Sequence, residues 1–131
     1  MKLSMDDILL MNALEKVTGV AAKDCLIEGQ LVSYFVPEKE MGKAIGKAAI
    51  NIKTLEQKLN KRVEIVAYCE KAEDVFAKAL EVNYTGSKVN GGRLIVSIDG
   101  ASKSKAFKNN ARIKRVKELI KRNFGLDLVI A

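Results

Sequence analysis

Met41-Gly42-Lys43-Ala44-Ile45-Gly46-Lys47-Ala48-Ala49-Ile50-Asn51-Ile52-Lys53-Thr54-Leu55 is the stretch on which the fold turns. It reads as a helix interrupted by glycine, within a helical region from about Glu40 to Leu59. Upstream lies Leu31-Val32-Ser33-Tyr34-Phe35-Val36, a strand-like run closed by the only proline, Pro37. Downstream, Ile52, Leu55 and Leu59 recur at helical spacing, and Arg62-Val63-Glu64-Ile65-Val66-Ala67-Tyr68 alternates as a half-buried strand does. Strand, broken helix and strand therefore follow one another.

Working outward, Cys25-Leu26-Ile27 is a second strand, separated from Leu31 by Gly29-Gln30. A first helix precedes it. Ser4 with Asp7 three residues on resembles a capping box, Leu3 is placed to staple onto Ile8, and Gly19 to end the helix. Met5, Ile8, Leu9, Leu14 and Val17 are expected on its apolar face. The second half repeats the order. A helix spans about Ala72 to Leu80, a weak strand Val82–Tyr84, a turn-rich segment Thr85 to Gly92, and a strong strand Arg93–Ile98. A loop over Gly100–Lys105, a basic helix to about Asn123 and a strand over Leu126–Ile130 complete the chain. Overlaying the halves at a shift of about 61–63 residues sets Leu31–Val36 over Leu94–Asp99, Ile52-Lys53 over Ile113-Lys114, and Glu64–Val66 over Asp127–Val129. Two copies of one α-β-β-α-α-β unit are expected.

Composition narrows the function. At 131 residues the chain suits one domain or two small ones, and no run approaches the roughly 20 apolar residues of a membrane span. Two acids, Asp6-Asp7, stand where a secretory signal needs a basic then apolar run, so a cytoplasmic location is expected. With no histidine and only Cys25 and Cys69, zinc sites and histidine-based catalysis lack their ligands and bases. The two cysteines are expected as small buried hydrophobes and not as a disulfide. Acidic pairs such as Asp6-Asp7 and Glu73-Asp74 fall at helix starts, where they complement the helix dipole. An enzyme is disfavoured, and no cofactor is implied.

The net charge of +7 is concentrated. Residues 1–72 hold 11 Lys/Arg against 10 Asp/Glu, whereas residues 101–123 hold 9 against 1. Such a field favours a polyanion, because lysine and arginine that meet phosphates release condensed counterions. The seven aromatics show no clustered pattern of the kind that lines the sheets of RRM or OB readers.

The segment from Ile45 resembles the core of the KH domain, whose pattern is Ile-Gly-x-x-Gly-x-x-Ile. Ile45, Gly46 and Ile52 match, and Ala49 stands where the family has its second glycine. A helix and strand ahead of the β-α-α-β core are similar to the type II arrangement. A tandem pair with almost no linker resembles the archaeal NusA-like transcription elongation and termination factors, as does the opening Ile8-Leu9-Leu10-Met11-Asn12-Ala13-Leu14 with Val17-Thr18-Gly19-Val20. The resemblance implies an α+β fold of two tandem type II KH domains, 1–70 and 71–131. Each would be a three-stranded mixed sheet with helices packed on one face. It also implies single-stranded RNA as ligand and RNA polymerase as a further partner; the protein is expected to be monomeric as well as cytoplasmic.

Carried onto this chain, the RNA contacts expected of the first half are Gly42, Lys43, Gly46, Lys47, Ala48, Ala49, Asn51 and Lys53. Glycine lets the backbone approach a sugar-phosphate chain, Lys47 supplies charge, and the amides opening the next helix point at anions. Ile45, Ile50 or Ile52 and the strand near Val63–Val66 are expected to line a groove for about four nucleotides. If the chain is left-handed at Ala49, alanine there costs roughly 1–2 kcal/mol. In the second half, Phe107 and Asn110 replace the two glycines, and Asn110 is expected to keep a left-handed turn. Lys105, Lys108, Asn109, Arg112, Lys114 and Arg115 are expected to contact RNA there as an electrostatic platform. The alternative is a protein-interaction or ribosome-associated KH module with weak or no RNA binding.

Overall fold

The computed structural model describes residues 5–131, so the Leu3 staple and the Ser4 cap lie outside the described residues. Helix α1 (Met5–Thr18) stops where Gly19 turns left-handed at φ 76° and donates its N–H to the Glu15 carbonyl at 2.7 Å. Its buried positions are Leu10, Leu14 and Thr18, an i, i+4, i+8 stripe. Met5, Ile8 and Leu9, expected on that face, are exposed at 71, 42 and 58%. The helix is apolar around much of its circumference, so periodicity does not select a face. Tertiary contacts do: the buried Tyr34 hydroxyl donates to the Leu10 carbonyl at 2.7 Å. Burial pushes that phenol's pKa well up, with the Cys25 thiol adding to the rise.

β1 (Asp24–Glu28) pairs antiparallel with β2 (Leu31–Pro37) across the two-residue turn Gly29-Gln30, and β2 pairs parallel with β3 (Arg62–Tyr68). A parallel pair needs a long crossover, which the broken helix supplies as α2 (Met41–Ile45) and α3 (Ile50–Leu59). Val32, Tyr34 and Val36 alternate into one sheet face beside Val63 and Ile65. With Leu10, Leu14, Cys25, Ala44 and Leu55 they form the core beneath the helices. Both cysteines are buried thiols that are not joined in a disulfide.

The same order recurs as α4 (Ala72–Leu80), β4 (Gly86–Asn90), β5 (Arg93–Ser97), α5 (Gly100–Phe107), α6 (Asn110–Phe124) and β6 (Asp127–Ile130). Its sheet has the order β4-β5-β6, antiparallel then parallel, as β1-β2-β3 does. The described residues divide into two compact units, one ending at Tyr68 and one running from Cys69 to Ala131. Three expectations need correction. The strand expected at 82–84 lies instead at 86–90, inside the segment read as turn, because β4 is an exposed strand with no apolar alternation to announce it. Only Gly91 and Gly92, both at positive φ, make the turn. The loop expected over Gly100–Lys105 is helix α5, started by the Asp99 carboxylate accepting the Ser102 N–H at 2.7 Å. That amide holds the Asp99 carboxyl below its usual range.

Register corrects the overlay of the halves. Leu31 faces Glu28 and Arg62, while Arg93 faces Asn90 and Asp127. Arg93, not Leu94, is therefore the counterpart of Leu31, and Asp127 that of Arg62. A slip of one residue would turn every side chain to the other sheet face. No helix among the described residues is long and apolar enough to cross a membrane.

Candidate nucleic-acid interface

After Pro37 the chain makes a 3₁₀ turn over Glu38–Glu40, and α2 follows for little more than one turn. It ends at Gly46, whose N–H donates to the Gly42 carbonyl at 2.9 Å. Gly46 adopts φ 77°, ψ 170°, a conformation essentially reserved to glycine. A methyl group built there would come 2.8 Å from Asn51 Nδ2 and 3.0 Å from Ile50 Cγ2. Lys47–Ala49 then forms a 3₁₀ turn, closed by the Ala49 N–H on the Gly46 carbonyl at 3.1 Å. The segment is thus two helices around a sharp corner and not a single rod.

Ala49 is left-handed at φ 59°, ψ 28°, and so is Ala48 at φ 54°, ψ 32°. The place of Ala49 in the glycine pattern makes its left-handed turn legible in the sequence, whereas nothing there marks Ala48. Each alanine pays roughly 1–2 kcal/mol relative to the right-handed basin. Ala48→Gly with Ala49→Gly relieves both, against roughly 0.5–1 kcal/mol of added chain entropy per glycine. The double variant is expected to gain about 1 kcal/mol in urea unfolding, and a loss of stability would contradict the left-handed assignment.

Asn51 donates from Nδ2 to the Lys43 carbonyl at 3.0 Å, tying the first turn of α3 to the last turn of α2. It is half-buried and acts by fixing the corner. Lys47 and Ala48 are exposed at the tip, and Lys53 is exposed one turn into α3. The N-terminus of α3 has no side-chain cap, so the amides of its first turn stay without a side-chain acceptor three residues after the exposed Lys47. Gly42 is exposed with open space around it. Lys43 points elsewhere than the tip: a methyl on Gly19 would lie 3.3 Å from its Nζ, so the ammonium rests at the C-terminal end of α1. Of the expected groove, Ile45 and Ile52 are half-buried and Ile50 is exposed. Val63, Ile65 and Val66 are buried, and pairing with β2 commits Val63 and Ile65 to the core.

In the second unit the corner between α5 and α6 is built differently. Among the described residues no positive φ occurs there, so Asn110 does not preserve a left-handed turn. It opens α6 instead, while Asn109 caps the helix through Oδ1, accepting from the Arg112 N–H at 3.3 Å. Lys105, Lys108, Asn109 and Lys114 are exposed, and Arg112 is half-buried. Arg115 is only 9% exposed and does not belong to the outer basic face. It lies one helical turn before Leu119, on the side of α6 that buries Val116, Leu119 and Ile120. Lys114, Lys117 and Lys121 form the exposed row, with Lys121 3.2 Å from Asp127.

Residues 9–96 match the KH domain family. Curated relatives share the name "Probable transcription termination protein NusA". The one from Halobacterium salinarum is 30% identical over 131 residues, spanning 96% of this chain and 94% of that one. The one from Halococcus morrhuae is 29% identical over 134 residues, spanning 97% and 96%. A relative from Methanocaldococcus jannaschii is 35% identical over 69 residues, which is 53% of this chain and 38% of the length of that longer protein. The crystal structure of APE1850 superposes with a TM-score of 0.85 at 23% identity, covering 98% of this chain and 100% of that one, and shares the fold.

Proposed function

We infer, because this chain belongs to the KH-domain family and to its archaeal NusA-like branch, that it binds single-stranded RNA and acts in transcription elongation and termination. In this reading residues 1–70 and 71–131 are two KH domains of a monomeric, cytoplasmic, non-enzymatic factor that meets RNA polymerase. The observation that carries it is the corner at Gly46–Ala49, where main chain, a lysine and an uncapped helix start are presented together. Gly46, Lys47, Ala48 and Ala49 receive the sugar-phosphate chain, and Lys53 extends the charge along α3. Asn51 holds the corner, and Gly42 and Lys43 support it. Lys105, Lys108, Asn109 and Lys114 add a second basic surface, with Arg112 at its edge.

Binding of oligouridylate tests this directly. Affinity is expected to fall with salt at a log–log slope of about −0.7 per phosphate, hence about −3 for a four-nucleotide clamp. Lys47→Glu should weaken binding severalfold and flatten the slope while leaving the thermal transition in place. Binding indifferent to both salt and this substitution would remove the RNA reading.

A further inference from the structure

Phe107 ends α5 at the corner where the first unit has its glycine loop. Of the seven aromatic residues it alone is exposed, at 46%. Phe76 is fully buried, and the Tyr84 hydroxyl is bound to Asp74 at 2.8 Å. The neighbouring Ala106 is fully buried, whereas Phe107 keeps nearly half of its surface in solvent. Its surroundings are cationic and polar. Lys103 and Ser104 lie one turn back on the same helix face, and Lys105, Lys108, Asn109 and Asn110 flank it, all exposed. From Gly100 the first carboxylate in sequence is Glu118, two turns into α6.

We infer that Phe107 is a stacking platform for a nucleobase of single-stranded RNA, with Lys103, Lys105 and Lys108 holding the adjoining phosphates; this deepens the RNA reading above and rests on it. A side chain where the first unit has Gly46 prevents close approach of a phosphate to the main chain. It offers an aromatic face in exchange. Stacking tolerates any base, because every base has a π face, and it needs no groove. The second unit thus grips bases where the first grips backbone. An acidic protein partner would be drawn to the same lysines, but it would not require an aromatic ring in preference to another apolar side chain.

The test uses the full chain, oligouridylate, and inorganic polyphosphate as a polyanion without bases. Phe107→Ala is expected to weaken oligouridylate binding roughly tenfold, with the salt slope and polyphosphate affinity unchanged. Phe107→Leu should lose as much. Because the chain has no tryptophan, Phe107→Trp installs a single reporter, whose emission should be quenched by oligouridylate and not by polyphosphate. Wild-type affinity in Phe107→Ala or Phe107→Leu, or an unquenched Phe107→Trp, would overturn the stacking site while leaving the RNA reading intact. Failure of the wild-type chain to bind oligouridylate even at low salt would overturn both.

Discussion

Gly46→Ala is expected to destabilise the unit that ends at Tyr68 by about 2–4 kcal/mol and to reduce RNA affinity more than tenfold. Two causes add. The backbone at φ 77°, ψ 170° is one that a residue with a Cβ adopts only under strain. The new methyl would also meet Asn51 Nδ2 and Ile50 Cγ2 at 2.8 and 3.0 Å, so Asn51 must give up its bond to the Lys43 carbonyl or the corner must open. Either response loosens the tie between α2 and α3 on which the corner depends. Gly42→Ala is the internal control: Gly42 lies within α2, has open space around it and does not require positive φ. That substitution should stabilise by roughly 0.5–1 kcal/mol. Opposite signs at two glycines four residues apart, read by urea unfolding and RNA titration, would establish that the corner and not general helix propensity sets the function. Equal effects would refute it.

The difference between those glycines shows where sequence reading succeeds. Gly46 was legible because a helical apolar pattern resumes after it at Ile52, Leu55 and Leu59, so something must break the helix between strand and pattern. β2, β3, β5 and β6 were legible because each buries alternate or continuous apolar residues, and burial writes itself into composition. β4 was hidden because an exposed strand has no such pattern and is fixed only by its glycine turn and its partner. α5 was hidden because Gly100, Ser102 and Ser104 are weak helix formers, and the helix depends on a cap from Asp99. The burial of Arg115 is hidden for a related reason. A run of lysines and arginines declares the charge of a helix but not its rotation, and α6 turns Arg115 inward while Lys114 and Lys117 stay out. The left-handed Ala48 carries no sequence signal, since alanine is the strongest helix former and is held there by the closure of its neighbours.

Leu55→Ala should separate loss of the corner from loss of the fold. Leu55 is fully buried on α3 and belongs to the core with Leu14, Val36, Ala44 and Ile65. Truncating a buried leucine costs about 2–5 kcal/mol, from lost transfer energy and the cavity left behind. A unit of this size has about 3–10 kcal/mol in all, so the variant stands near its unfolding midpoint. The transition is expected to fall by roughly 10–30 °C. Leu55→Met, which nearly conserves volume, should cost less than about 1.5 kcal/mol. RNA binding by Leu55→Ala should weaken in proportion to the unfolded fraction as temperature rises through its transition and return on moderate cooling, because the folded fraction still carries an undistorted Gly46–Ala49 corner. Gly46→Ala should show no such recovery, since its defect persists in the folded state. If both variants recover alike, the corner contributes only through stability. If neither does, Leu55 reaches the RNA through more than the packing of α3.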